Sequence, residues 1–266
     1  MYYGYHFSNN SWVQGDSVQY TRLNSTADPT ERLWCDKGAS RTGLDSFEPS
    51  FMAWLMATFP KEFSTQFLVN ELRSVLQAGT LGSRFKSESN QILEHFIYEQ
   101  GAPLKWDCDS ELSSGISNIS QVLLEKDKIE EILREWLEQN DNLENLFTVA
   151  SHFEEISAPS LYGLPLWGEV LFGGTQGIKI QVKSLKINPV PCYGFPQGTK
   201  RFDCEILFTL FDNFGLGMNE NWWFPGIADQ WVLQHYRNME CDNAPCFVPI
   251  TQHSVEMYYK LDICVD

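Results

Sequence analysis

The sequence predicts an α+β protein, an N-terminal helical half packed on a C-terminal, mostly antiparallel β-sheet or half-barrel. Three observations carry this expectation. Apolar residues recur at helical spacing from Phe51 to about Ala150. From Gly173 onward they alternate with a period of two. Between these stretches, SHFEEISAPSLYGLPLWGE carries two prolines and two glycines and has no clear period. The chain therefore divides into 1–50, an extended or looping lead-in, 51–155, a helical subdomain, and 156–266, a β-rich subdomain. The connection is short, which favours one shared core.

The lead-in is polar, and its Trp12, Leu33 and Trp34 are the residues expected to pack on the rest. Three helical stripes follow. Phe63, Phe67, Leu68, Leu72, Val75 and Leu76 form the first, with Ser64 as N-cap and Gly79 as stop. Ile92, Leu93, Phe96 and Ile97 form the second, closed by Gly101. Val122, Ile129, Leu133 and Trp136 form the third. GAPLKWDCDSELSSGISN reads as a polar connection between the last two.

In the β-rich part, Ile178, Ile180 and Val182 alternate, and Leu185 and Ile187 continue on the opposite parity. That switch predicts a bulge. NPVPCYGFPQGT is a proline-rich loop into a long strand. There Phe202, Cys204, Ile206, Phe208 and Leu210 share one parity, against Asp203, Glu205 and Thr209. The last strand sets Val255, Met257, Tyr259, Leu261 and Ile263 on one face. Most of these strands lack a crossover helix between them, so antiparallel pairing is expected.

A hydrophobic content of 43% and an aromatic content of 14% suffice for a full core. The formal charge of −16 argues against nucleic acid and against anionic membranes. It suits a soluble protein or one with a basic partner, such as an inhibitor or carrier. No apolar run reaches the roughly 20 residues of a membrane span. The start, MYYGYHFSNN, has neither a basic region nor an apolar core. The expectation is a chain without a signal peptide, cytoplasmic in its producer or exported by a signal-independent system.

With seven cysteines, at least one is unpaired in a monomer. Cys241 and Cys246 are too widely spaced for a CxxC half-site. Free thiols are the default, with a local 241–246 bridge as the alternative.

The candidate site lies in RFDCEILFTLFDNFGLGMNENWWFPGIADQWVLQHYR, residues 201–237. Asp212 has the parity of the apolar face and ends the strand before a Gly-containing turn. A helix after Pro225 and Gly226 sets Ile227, Trp231 and His235 on one flank. A carboxylate, an imidazole and a cation are the parts of phosphoester or pyrophosphate hydrolysis. Asp212 would be base or metal ligand, His235 acid or base, and Arg237 or Lys200 the phosphate clamp. A divalent metal is compatible with this set, and His253 is an alternative imidazole. In the competing structural account, Asp212 only caps the turn through the amides of Phe214 and Gly215. No nucleophile elbow, P-loop or dinucleotide fingerprint is present.

EILFTLFDNFGL resembles the signature of an uncharacterised proteobacterial domain family, in which an aromatic strand runs into Asp-x-Phe-Gly-Leu. WGEVLFGGTQGIKIQV, ADQWVLQHYR and PCFVPITQHSVEM resemble its strand pair, its aromatic, Gln-containing helix and its closing Pro-Phe strand, and the resemblance covers about residues 80–266. Asn213 and Gly217 depart from it, standing where a His and an acidic residue are expected. The order Asp212, His235, Arg237 is also similar, at longer spacing, to that of colicin M type lipid II-cleaving bacteriocins. These likenesses imply a secreted antibacterial effector or toxin, hydrolysing a phosphate-containing envelope substrate, with a cognate immunity or carrier protein. The alternative is a non-enzymatic binding module that uses the aromatic loop Trp222, Trp223 and Phe224 as its anchor.

Overall fold

The computed structural model describes residues 4–8, 11–15, 18–23, 64–98, 104–140, 143–161, 166–172, 175, 177–214, 233 and 251–266. Seven strands and five α-helices are described: β1 Gly4–Ser8, β2 Ser11–Gly15, β3 Val18–Leu23, α1 Thr65–Gly79, α2 Lys86–Tyr98, β4 Leu104–Trp106, α3 Glu111–Ile116, α4 Ser120–Gln139, α5 Leu166–Phe172, β5 Gly177–Asn188, β6 Lys200–Phe214 and β7 Thr251–Val265. A 3₁₀ segment, Leu143–Glu155, lies between α4 and α5. The class is α+β, as the change of period predicts.

Strands β1 and β2 form a separate pair, and the main sheet has the order β3-β5-β6-β7-β4. Its β3–β5, β5–β6 and β6–β7 pairs are antiparallel, and β4 runs parallel to β7. The sheet thus draws strands from all three parts of the chain. β3 comes from the lead-in and β4 from the helical part, where no strand is expected from the sequence. LKW is three residues long, too short to display an alternation. The helix α3 inside the same polar connection has only six residues and starts at Ser110, whose hydroxyl accepts from the Ser113 amide.

The long helices follow their stripes. Ser64 caps α1 by accepting from Phe67 N at 3.2 Å. Leu68, Val69, Leu72 and Leu76 are buried, but Phe67 is 41% exposed and stands outside the stripe. It lies about 100° from Leu68 around the helix, which carries it off the docked face. Gly79 does not act through a left-handed turn; α1 runs through it. A Cβ at Gly79 would stand 2.3 Å from Val170 Cγ2, so the glycine permits α1 to approach α5. In α2, Ile92, Leu93 and Phe96 are buried, and in α4 so are Val122, Ile129, Leu133 and Trp136. Glu125 is buried among the last set and is held by Lys128 Nζ at 2.8 Å and Ser157 N at 3.1 Å.

The strand parities hold as well. The β5 register shifts between Val182 and Ser184, the expected bulge. Phe202, Cys204, Ile206, Phe208 and Leu210 are all buried, as are Val255, Met257, Leu261 and Ile263. These residues join the α4 stripe and Ile92 of α2 in one core cluster, with Tyr259 packed against it. On the second face, Leu207 and Thr209 are also buried, which alternation alone does not predict. Leu207 stands in register between Gln181 and Tyr258, and Thr209 between Lys179 and Glu256. Long side chains on both flanks shield the shorter ones between them. Among the described residues no helix is long and apolar enough to cross a membrane.

Phe208 is fully buried in the central strand. Phe208→Ala is expected to lower stability by about 3–5 kcal/mol, read as a shifted urea midpoint. Gly79→Ala is expected to cost about 1–3 kcal/mol by pressing on Val170. Val170→Ala added to it should recover part of that loss, and strict additivity of the two changes would refute the contact.

Candidate functional site

Asp212 lies on β6, directly opposite His253 on β7. The strand does not end at the aspartate. Asn213 pairs with Gln252 and Phe214 with Thr251, so the ladder continues two residues further. Asp212 thus lies within the paired ladder, and Gly215 of the expected turn lies outside the described residues. Its parity is that of Phe208 and Leu210, and Asp212 is 8% exposed while His253 is 1% exposed.

A carboxylate and an imidazole so buried are costly unless bonded. The imidazole is held from three sides. Its Nε2 is 2.5 Å from the carbonyl oxygen of Leu171 in α5. A carbonyl only accepts, so Nε2 carries the proton and donates. The ring packs on Phe172 at 4.7 Å between centroids and meets Trp106 edge-on at 6.0 Å. In register, Leu104 of β4 flanks His253 on the side away from Asp212. Parallel addition of β4 thus sets Trp106 against the ring, and α5 supplies the acceptor. Directly opposed residues of an antiparallel pair have Cβ atoms about 4.5–5.5 Å apart. The carboxylate and the imidazole therefore occupy one small volume under α5.

His235 and Arg237, like Trp222, Trp223 and Phe224, lie outside the described residues. Of that helix only Leu233 is described; it is helical and 2% exposed. Lys200 is removed as a clamp for Asp212. It opens β6, twelve residues before the aspartate, a separation of about 40 Å along an extended strand. Lys179 and Lys105 are nearer in register, beside Thr209 and Ser254. Both neighbours have the opposite parity to Asp212 and His253, so these lysines belong to the second face. There Lys105 pairs with Glu256 at 2.9 Å. Among the described residues no group of three or more His, Cys, Asp or Glu could hold a metal. Asp212 and His253 bring two donors, and the His253 Nε2 is already committed to Leu171.

The sequence reasoning missed a disulfide between Cys192 and Cys264, 72 residues apart. Cys241 and Cys246, the pair close in sequence, lie outside the described residues. The usable signal was the strand register: Cys264 stands opposite Arg201, at the end of β6 that the Cys192 loop enters. Closing a loop of that length stabilises by about 4 kcal/mol in the chain-entropy account. Cys108 and Cys204 are free. Burial pushes the Cys204 thiol up to about 12.

No family model, no curated protein and no solved structure matches the chain.

Thiol labelling checks this arrangement. At pH 8 Cys204 lies far below its raised pKa and stays protonated, so a maleimide should leave it unmodified in the folded protein. Half-buried Cys108 should react, and Cys192 and Cys264 only after reduction, as mapped by peptide mass spectrometry. Labelling of Cys192 without reductant would contradict the bridge.

Proposed function

We propose that the chain is a secreted antibacterial effector-type hydrolase, with Asp212 and His253 as its reactive pair and a phosphate-containing envelope component as substrate. The observation that supports the chemistry is the register of Asp212 with His253, two titratable groups enclosed together beneath α5. His253 takes the imidazole role assigned to His235 from the sequence. The substrate class follows from the resemblance of the Asp-x-Phe-Gly-Leu strand. The Cys192–Cys264 bridge favours action in an oxidising compartment, since disulfides seldom persist in a reducing cytosol.

In this reading Asp212 accepts a proton from water as the water oxygen bonds to phosphorus. The bond from phosphorus to the leaving oxygen breaks, and that oxygen takes up the proton Asp212 has gained, which returns the carboxylate to its charged form. His253, fixed by Leu171 and the two aromatic rings, stands opposite the carboxylate across the ladder. The apolar walls keep bulk water from competing.

The test is expression in a bacterial host with and without export to the periplasm. Toxicity is expected only with export, and release of phosphate-bearing fragments from isolated envelopes should accompany it. Asp212→Asn conserves shape, so it is expected to reduce both by at least a hundredfold while the thermal midpoint stays within a few degrees. An Asp212→Asn protein as toxic as the parent would remove the pair as the reactive centre.

A further inference from the structure

The opposite end of the β6–β7 ladder carries an open groove of about 600 Å³. The Cys192–Cys264 disulfide lines it, along with Arg134 and Glu138 of α4. Arg201 at the start of β6 and Asp262 and Asp266 at the end of β7 lie around it, and Tyr193 and Phe195 of the β5–β6 loop form its lip. Tyr193 is 101% exposed and Phe195 54% exposed. Two neighbouring aromatic rings held in water on a folded surface are the usual mark of a contact site.

The loop that presents them is preorganised. Pro189, Pro191 and Pro196 fix φ at three positions. Gly194 at φ 85° and Gly198 at φ 113° take backbone conformations that L side chains rarely adopt. Val190 N donates to Asn188 Oδ1 at 2.9 Å. The bridge then ties Cys192, the residue before Tyr193, to β7. A partner meeting this lip has little ordering cost to overcome.

The charges select the partner. Both arginines are already matched. Arg134 binds Glu130 at 3.0 Å, and Arg201 grips Asp262 through Nε at 2.6 Å and through its terminal nitrogen. Asp266 accepts from the Thr199 hydroxyl at 2.7 Å, which leaves its charge uncancelled. Glu138 is in no ion pair among the described residues. Two carboxylates beside two exposed π faces suit an ammonium or guanidinium group. An anion would find both guanidinium groups occupied and both free carboxylates repelling it. The net charge of −16 draws a basic partner from a distance.

We propose that this groove docks a Lys- or Arg-bearing segment of a partner protein, gripped between the Tyr193–Phe195 lip and the Glu138 and Asp266 carboxylates, with the disulfide holding the lip in place. The site is independent of Asp212 and His253, so either assignment can fail alone.

Fluorescence anisotropy with a fluorescein-labelled Arg-Gly repeat dodecapeptide on the full oxidised chain tests it. Saturable one-to-one binding is expected. Tyr193→Ala with Phe195→Ala should weaken it at least tenfold, and so should Glu138→Gln with Asp266→Asn. Dithiothreitol should do the same while far-UV circular dichroism is unchanged; Cys192→Ser with Cys264→Ser provides a second form of that test. Glu71→Gln with Asp109→Asn removes equal charge elsewhere and should leave binding within twofold. Asp212→Asn should also leave it intact. The proposal is overturned if the aromatic double variant binds like the parent, or if the remote charge variant weakens binding equally, which would mean diffuse attraction. It is also overturned if spermidine displaces the probe as well as unlabelled peptide does, or if reduction leaves the affinity unchanged in folded protein.

Discussion

The β6–β7 ladder is the constraint on which the rest depends. It pairs Lys200 with Val265 at one end and Phe214 with Thr251 at the other, without a break in register. Because side chains alternate, one choice of register assigns every residue of both strands to a face. A slip of one residue would expose Phe208 and Met257 and bury Glu205 and Lys260. The cost of exposing those apolar side chains, at about 1.5–3 kcal/mol each, is what makes the register single-valued. Asp212 and His253 are brought opposite one another by the same register, and so are Arg201 and Cys264. Neither pairing needs a separate device to assemble it.

The helical layer then decides what each end of the ladder becomes. At the Asp212 end, α5 and β4 close over the imidazole: a backbone carbonyl accepts from its Nε2, and aromatic rings wall it. At the Arg201 end, α4 stands alongside and brings charged side chains, leaving an open groove. The close approach of α1 to α5 through Gly79 is part of the first arrangement, since Leu171 follows Val170 directly. The contacts that fix α5 therefore also fix the acceptor for His253.

How much of this was legible follows from length and period. Strands β6 and β7, fifteen residues each, and helix α4, with twenty, gave many chances for a pattern to repeat. Their core faces are those the sequence indicates, down to the bulge after Val182 and the core-side parity of His253. β4, with three residues, and α3, with six, are too short to carry a period. Long-range partners were hidden for another reason. The Asp212–His253 pairing and the Cys192–Cys264 bridge depend on register, and register appears only when two strands are laid side by side. Proximity in sequence favoured His235 and Cys241–Cys246, both outside the described residues. Lys200 failed by the same mechanism in reverse: one strand holds it and Asp212, and an extended strand keeps its two ends far apart.

The two ends obey opposite electrostatic rules. Under α5, polar groups are few and taken out of water, so each must be satisfied within the protein, and a lost partner leaves a neighbour uncompensated. Around the groove, ion pairs remain in contact with solvent, where each contributes little to stability and much to the choice of partner. About 40 Å of extended strand separates them. Sites so far apart that share no side chain respond independently to substitution. Any coupling between them would have to pass through the ladder itself, whose register has no second setting that keeps the core buried. The ladder thus holds a dry polar pair at one end and a wet charged groove at the other.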